Sequence, residues 1–215
     1  MKFFTILAIL FGVLAAVSLI YLFLTITSGN RIEKELVDLL AQRDFSAFEK
    51  LLSDPRTVKY VRPYNLDILR LNAAVMKGDK KKIDEAFDRF DNARLNAAQQ
   101  EAVYTQAFEY YQAIGDKKKV KKYHGLIMGM NSKDDSLKNS IDRMYDIYQK
   151  GGYRYLEDTL EELEGANEDL MPILEGMIAS MYKNKGDMKK YQEYRDLAEK
   201  HLKEVKEDDH GPDAD

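Results

Sequence analysis

The sequence has no cysteine and no tryptophan, and only three histidines and four prolines among its 215 residues. The absence of cysteine excludes disulfides, thiolate catalysis and cysteine-based zinc sites together. None of the histidines stands beside a nucleophile motif, and the chain contains no glycine-rich phosphate loop, His-Glu-x-x-His zinc motif or nucleophile elbow. We therefore predict that the protein has no catalytic residues, no metal site and no cofactor. We also predict that it is not an enzyme.

Charge is also missing from one long segment, because no Lys, Arg, Asp or Glu occurs from Phe3 through Asn30. The largely apolar run from Phe3 to Thr27 would be about 37 Å long as a helix, against a hydrocarbon core of ~30 Å. It is longer than the apolar region of a cleaved secretory signal. We predict an uncleaved membrane anchor over residues 1–30, with a transmembrane helix at about 3–27. The protein is then a single-pass protein of the cell membrane.

The anchor leaves the side of the membrane open. Lys2 precedes the span and Arg31 and Lys34 follow it among acidic residues, so the positive-inside rule does not decide the orientation. Small residues four apart form a stripe on one face of the span, through which two copies could pair as a homodimer. These residues are Ala8, Gly12 and Ala16.

Charged residues are dense from Arg31 onward, and the net charge of the chain is −4. A mildly acidic protein is not drawn to nucleic acid in bulk, so we predict no nucleic-acid partner. We assign residues 31–205 to one helical repeat domain and residues 206–215 to an acidic, disordered tail. The tail has carboxylates around His210 but no scaffold to hold them, so we interpret it as solvated and not as a metal site.

Similar turns recur along the charged part of the chain. The sequence "MKGDKKKIDEAF" begins at Met76, "AIGDKKKVKKYH" at Ala113 and "KNKGDMKKYQEY" at Lys183. The interval between the second and third of these segments is about twice the interval between the first and second, which predicts a further turn between them. A similar interval before the first segment predicts an earlier turn. The resulting five turn positions, about 35 to 37 residues apart, are Arg43, Gly78, Gly115, Gly151 and Gly186.

The residue types at these turns have a direct physical reason. Glycine readily adopts the left-handed conformation that ends a helix. The following Asp accepts hydrogen bonds from the free amides of the next helix and suits the positive end of its dipole. Arg43 lacks glycine's freedom, and Gly151 is followed by Gly152 instead of Asp, so the first and fourth turns match the pattern less well.

Between the turns, apolar residues recur at intervals of three and four, and no segment alternates like a strand. Pro55 and Pro63 bracket a predicted loop, and Gly165-Ala166-Asn167 separates the last two predicted hairpins. The predicted fold class is all-α.

This period, with its Gly-Asp turn and aromatic-rich first helices, resembles the tetratricopeptide repeat family over residues 31–205. The resemblance implies an α-solenoid of about five helix-turn-helix repeats. The family has small residues seven before and five after the turn glycine, and here only Ala179 fits. Large residues at these positions predict wider packing or an altered superhelical pitch. They are Leu36, Leu71, Phe108 and Met144 before the turn, and Phe48, Ile83, Val120, Leu156 and Tyr191 after it.

Lysines follow the turns, and equivalent positions stack in a solenoid. We predict that they form a basic ridge for an acidic partner or anionic lipid, with a plain solvated face as the alternative. The ridge residues are Lys80, Lys81, Lys82, Lys117, Lys118, Lys119, Lys121, Lys122, Lys189 and Lys190. His124 lies among them and is interpreted as a surface or packing residue.

Exposed positions of the first helices line a concave groove in such repeats. Counting six and three residues back from the turns gives a predicted partner-binding wall, and core packing is the alternative for its two tyrosines. The wall residues are Asn72, Val75, Glu109, Gln112, Tyr145, Tyr148, Ser180 and Lys183.

These features favour a membrane-anchored scaffold or adaptor that binds a peptide or helix of another protein at the membrane surface. The alternative is a structural or self-oligomerising membrane protein whose lysine ridge contacts anionic lipid or an acidic partner. The architecture predicts a style of binding and not a particular ligand.

Overall fold

The computed structural model of the protein describes residues 28–131 and 135–208. All regular structure within these residues is helical, which confirms the all-α fold class. No helix in this part of the chain is both long and apolar enough to cross a bilayer. The predicted span at 3–27, with its Ala8, Gly12 and Ala16 stripe, lies outside the described residues and stays a prediction.

The helices are joined by short connections and pair around the five turns as hairpins α1/α2, α4/α5, α6/α7, α8/α9 and α10/α11. The elements are α1 (28–41), α2 (Phe45–Leu52), α3 (Pro55–Tyr60), α4 (Pro63–Lys77), α5 (Lys80–Asp91), α6 (Ala97–Ala113), α7 (Lys117–Gly129), α8 (Ser136–Tyr145), a π-helical segment (Asp146–Lys150), α9 (Leu156–Glu164), α10 (Met171–Lys185) and α11 (Met188–Asp208). Since α11 continues to Asp208, the helix enters the segment predicted as a tail, and 209–215 lie outside the described residues.

The chain divides into two compact units, the first ending at Arg94 and the second beginning at Leu95. The first unit contains α1 to α5 and the second contains α6 to α11. The boundary falls inside the range 31–205 that the sequence analysis treats as one repeat domain, between the second and third hairpins.

All five turn positions have a left-handed backbone conformation. The φ angle is +57° at Arg43 and lies between +67° and +87° at the four glycines. At Gly78 this geometry lets the amides of Gly78 and Asp79 donate to the carbonyls of Val75 and Ala74, each at 3.0 Å, which satisfies the end of α4. The predicted turns are confirmed, including the two weaker matches at Arg43 and Gly151.

The Asp residues after four of the turns cap the next helix as predicted. Each carboxylate accepts a hydrogen bond of 3.0 or 3.1 Å from the backbone N–H three residues later. These residues are Asp44, Asp79, Asp116 and Asp187. The fourth hairpin has no such cap, because α9 begins at Leu156 without a side-chain capping bond.

The loop predicted between Pro55 and Pro63 is wrong, because this segment forms helix α3. Asp54 caps it by accepting a hydrogen bond of 2.8 Å from the Arg56 amide. Proline suits the first position of a helix, where its missing N–H has no partner to lose and its fixed φ is already helical. Pro55 begins α3 and Pro63 begins α4 in this way.

The positions seven before and five after each turn residue lie in the core or at its edge. Eight of the ten residues are no more than 3% exposed: Leu36, Leu71, Phe108 and Ala179 before the turn, and Phe48, Ile83, Val120 and Leu156 after it. The other two, Met144 and Tyr191, are half-buried. The same two positions of each hairpin are therefore at least half-buried.

Candidate protein-interaction site

Within each unit, the first helix of a hairpin packs on the hairpin before it. In the first unit, Leu66 and Leu69 of α4 share one buried cluster with Leu36 of α1 and Phe48 of α2. In the second unit, α8 contacts α7, and α10 contacts both α9 and the π-helical segment. In these cases the preceding hairpin therefore supplies the surface on which the following helix packs.

The last hairpin has a groove between α10 and α11 that is lined by residues of these two helices only. Its volume is about 400 Å³. Two large apolar side chains of its lining are unusually exposed, Ile173 at 58% and Leu202 at 47%. We call this feature the terminal groove.

Small residues on α10 give the terminal groove its depth. Gly176, Ala179 and Ser180 are part of its lining, and a Cβ added at Gly176 would meet no heavy atom within 4 Å. On the α11 side, Arg195 and Glu199 form an ion pair of 3.3 Å. An apolar channel with small residues and a paired charge matches the chemistry of grooves that receive an apolar helix face.

The predicted wall residues lie in pairs on α4, α6 and α10 and around the end of α8, where Tyr145 ends the helix and Tyr148 belongs to the π-helical segment. Asn72 and Val75 belong to the first unit, and the other six belong to the second. Val75, Glu109, Tyr148 and Lys183 are exposed, whereas Asn72, Gln112, Tyr145 and Ser180 are half-buried. The Oε1 atom of Gln112 is buried and has no hydrogen-bond partner among the described residues.

Two of the wall residues come together beside the terminal groove. Although Tyr148 is 43% exposed, partial burial raises the pKa of its phenol, and a hydrogen bond with Ser180 partly offsets this shift. Ser180, which lines the groove, also donates to the Gly176 carbonyl at 2.9 Å. Lys183 lies over the ring of Tyr191, another groove residue, with Nζ 5.6 Å from the ring centroid.

The lysines predicted to form a ridge have different environments. Lys117, Lys118 and Lys121 are exposed and form no ion pair with any described residue. Lys82 lies 3.8 Å from Glu49, and Lys81 lies 3.8 Å from Glu85. The ridge crosses both units, and as one continuous surface it stays a prediction.

Two lysines of the predicted ridge contact tyrosines in the same way in two hairpins. Lys119 Nζ donates to Tyr111 Oη at 3.2 Å, and Lys190 Nζ donates to Tyr182 Oη at 3.0 Å. A second tyrosine stacks on each ring, with centroids 5.7 Å apart for Tyr111 and Tyr123. The corresponding pair in the last hairpin, Tyr182 and Tyr194, lies 5.6 Å apart. Hairpins α6/α7 and α10/α11 thus share a Lys-Tyr-Tyr cluster, each with one stacked pair and one capping lysine.

A polar cluster holds the fourth turn, where the Asp cap is missing. The Asp142 carboxylate of α8 lies 2.9 Å from His124 Nε2 of α7 and accepts a hydrogen bond of 2.9 Å from Tyr155 Oη. Arg154 also donates to Asp142, and its Nε lies 3.5 Å from Asp146 Oδ1. We call these five residues the Asp142 cluster.

The electrostatics of the Asp142 cluster keep its central carboxylate charged. Partial burial disfavours the charge, but hydrogen bonds with His124 and Tyr155 and the nearby Arg154 together lower the pKa of Asp142 below its usual range. Burial and the hydrogen bond to Asp142 raise the pKa of the Tyr155 phenol. Both Asp142 oxygens are occupied by these partners. The ring of His124 stacks on Tyr145 with centroids 4.0 Å apart, which agrees with a packing role for His124.

Backbone packing at the fourth turn is unusually close. Asp146 is buried, and its Oδ2 has no hydrogen-bond partner among the described residues. A Cβ added at Gly152 would lie only 2.0 Å from that oxygen, so no larger residue fits there without a shift. Asn184 of α10 joins the same turn, since its Nδ2 donates to the carbonyls of Ile147 and Gly152, both at 2.9 Å.

Another buried carboxylate joins the last two helices. Glu175 of α10 is 3% exposed, and its Oε2 lies 2.9 Å from Nδ1 of His201 on α11. This contact gives His201 a structural partner that the sequence analysis did not identify.

Sequence reasoning missed most residues of the terminal groove and of the Asp142 cluster. The periodicity of apolar residues does not distinguish Ile173 and Leu202 from apolar residues that are buried. Their exposure becomes apparent only when α10 and α11 are packed together. No protein-family model, curated protein or solved structure matches the chain.

Proposed function

We propose that this protein is a membrane-anchored helical-repeat scaffold that binds a helix of another protein in the terminal groove. In this proposal the chain is a tetratricopeptide-like α-solenoid of about five repeats, and residues 3–27 hold it in the cell membrane. The partner is itself at the membrane surface, because α1 begins at residue 28, directly after the span predicted at 3–27.

The observation that carries the proposal is the exposure of apolar side chains in a preformed groove. Ile173 is 58% exposed although it lies on a helix whose other apolar residues, such as Leu174 and Ile178, are buried. Exposed apolar surface next to a concave channel is typical of interaction sites. The helix α10 itself has a comparable position on the preceding hairpin, where it contacts both α9 and the π-helical segment.

The expected partner segment is an amphipathic helix. The helix α10 shows what such an occupant presents, because it buries Leu174, Ile178 and Met181 in the core that it shares with Ile147 and Leu156. These spacings of four and three are those of an apolar helix face. A partner helix with the same spacing would bury Ile173 and Leu202 of the terminal groove.

The test is site-specific crosslinking of the full-length protein in its native membrane. A benzoylphenylalanine at Ile173 lies in the groove, and one at Tyr153, which is 48% exposed, serves as the surface control. The expected result is one defined heteromeric product from position 173 only, with the crosslinked peptide mapping to an amphipathic helix. A product that contains two copies of this chain would instead identify a self-assembling protein.

A pair of glycine substitutions makes the same test specific for the groove. Gly176→Leu should fill the channel and abolish the product, since its Cβ meets nothing within 4 Å and the fold can accept it. Gly125→Leu, at a helical glycine of α7 with equally open surroundings, should leave the product intact. Retention of the crosslink in Gly176→Leu would exclude the groove as the binding site.

A further inference from the structure

Helix α3 packs directly against the beginning of α1. A Cβ added at Gly29 would lie 2.6 Å from the carbonyl oxygen of Tyr60, the last residue of α3. Only glycine at position 29 permits this approach without a shift. The C-terminal end of α3 is therefore fixed beside the second residue after the predicted span.

With the span of the proposed function, this contact would place α3 at a defined height above the hydrocarbon core. Gly29 lies two positions after Thr27, and even a fully extended chain covers no more than about 7 Å over two positions. The headgroup layer on each side of a bilayer is roughly 5 to 7 Å thick, by the difference between the full and the hydrocarbon thickness. If Thr27 ends the span, Tyr60 lies at the depth of the headgroups.

The exposed residues of α3 and of the segment after it have the chemistry of a headgroup contact. Arg56, Lys59 and Arg62 are exposed and three residues apart, and Val58 between them is 59% exposed. Tyr60 is half-buried, with Lys59 Nζ 5.1 Å from its ring centroid. Lysine, arginine and tyrosine are the residues that recur at membrane interfaces.

The three cations are not equally available. Arg56 forms an ion pair of 2.8 Å with Asp54, and its side-chain hydrogen bonds lower the pKa of that carboxyl to about 2. Lys59 and Arg62 form no ion pair with any residue that the structure describes. Lys59 and Arg62 are thus the residues best able to contact an anion.

We infer that the exposed surface of Arg56, Val58, Lys59 and Arg62 is a second membrane contact, which lies on anionic lipid headgroups beside the anchor. This inference rests on the anchor of the proposed function and adds a specific lipid contact to it. The contact would hold the first unit against the bilayer and limit its rotation about the span.

The inference can be tested with single cysteines, because the chain contains none. The full-length variants Val58→Cys and Val37→Cys are placed in nanodiscs, and the rate of labelling by a hydrophilic maleimide is compared with the rate in neutral detergent. Val37 is a matched control, since it is 52% exposed and lies two turns further along α1 than Gly29. In discs that contain phosphatidylglycerol, Val58→Cys should react at least tenfold more slowly, which corresponds to about 1.4 kcal/mol of protection. Val37→Cys should be unaffected.

Substitution of the two available cations separates headgroup attraction from simple shielding. Lys59→Gln with Arg62→Gln should restore the labelling of Val58→Cys, whereas Lys80→Gln with Lys81→Gln on α5 should not. Equal labelling of both cysteine variants in anionic discs would overturn the inference, and so would equal protection in discs of phosphatidylcholine alone. Alkaline extraction from native membranes tests the anchor separately. A chain that resists extraction but leaves Val58→Cys unprotected keeps its anchor and loses only the lipid contact.

Discussion

The turns of the fourth and fifth hairpins are stabilised in different ways. In α10/α11, Asp187 caps the second helix from within the turn, and Lys190 covers the ring of Tyr182. In α8/α9 the cap is absent, and Asp142 and Asn184, from α8 and α10, hold the turn by longer-range bonds. The fifth turn depends on its own residues, whereas the fourth depends on its neighbours.

A local cap and a shared polar cluster respond differently to the loss of one residue. A local cap contributes about 1 kcal/mol and affects mainly its own helix. A cluster of partly buried polar groups is strongly coupled, since the removal of one member leaves the others without partners. The fourth hairpin should therefore respond more strongly to single substitutions than the fifth.

The largest effect is expected for Gly152→Ala. Its Cβ would lie 2.0 Å from Asp146 Oδ2 and 2.5 Å from Cγ, so the buried Asp146 side chain must move. We expect a loss of about 2 to 3 kcal/mol in local stability, measured by hydrogen exchange of peptides from α8 and α9. Gly165→Ala is the matched control, because nothing lies within 4 Å of its Cβ and its φ is −105°. Equal protection in the two variants would contradict the close packing at Gly152.

The next largest effect is expected for Asp142→Asn, which replaces one acceptor oxygen by a donor facing Tyr155 or His124. A loss of roughly 2 kcal/mol follows from the unpaired, partly buried donors. The exposed Glu161→Gln on α9 removes the same charge and should change stability by less than about 0.5 kcal/mol. Hydrogen exchange of α7 to α9 distinguishes the two.

The effect of Asp142→Asn should also depend on pH. The folded-state pKa of Asp142 is lowered from its ordinary value of 3.8, so its charged form stabilises the fold above that pH. This stabilisation is lost as the pH falls through the lowered folded-state pKa. The difference between wild type and Asp142→Asn should be largest near neutral pH and should shrink below about pH 4. A difference that grows on acidification would contradict this assignment.

An intermediate effect is expected for Asp187→Ala, which removes the cap at the fifth turn. The expected loss is about 1 kcal/mol, confined to the first turn of α11. Asp116→Ala, at the corresponding position of the third hairpin, should cost the same within about 0.5 kcal/mol. A much larger cost for either variant would show that these turns are as interdependent as the fourth.

The smallest effect is expected for Arg43→Gly. Arg43 has a φ of +57°, a conformation that costs a residue with a Cβ roughly 1 kcal/mol or more. Glycine removes that strain but loses more entropy on folding. We therefore expect the free energy of unfolding, measured with urea, to increase by about 0.5 kcal/mol. Gln42→Gly, where φ is not positive, should destabilise the protein.

The turns could be predicted from sequence because their chemistry is local. Gly78 and Asp79 are adjacent, and the left-handed conformation and the cap require no other part of the chain. The prediction of a loop between Pro55 and Pro63 fails at α3, because proline also occurs at the first position of helices. That signal was present in Asp54-Pro55, a capping residue followed by a proline at the first helical position.

The terminal groove and the Asp142 cluster could not be predicted in the same way. Asp142, His124 and Arg154 lie 12 or more positions apart in the sequence and meet only after α7, α8 and the fourth turn have packed together. Charged residues are so common in this chain that no single carboxylate attracts attention. Likewise, the exposure of Ile173 depends on how α11 crosses α10, which periodicity alone does not determine.

The two hydrogen bonds of Asn184 also have a mechanical meaning. One amide group on α10 is bonded to the carbonyls of Ile147 and Gly152, on either side of the left-handed Gly151. These bonds connect α10 directly to the fourth turn, which has no side-chain cap of its own. A displacement of α10 would therefore strain the backbone of the fourth turn through a single side chain.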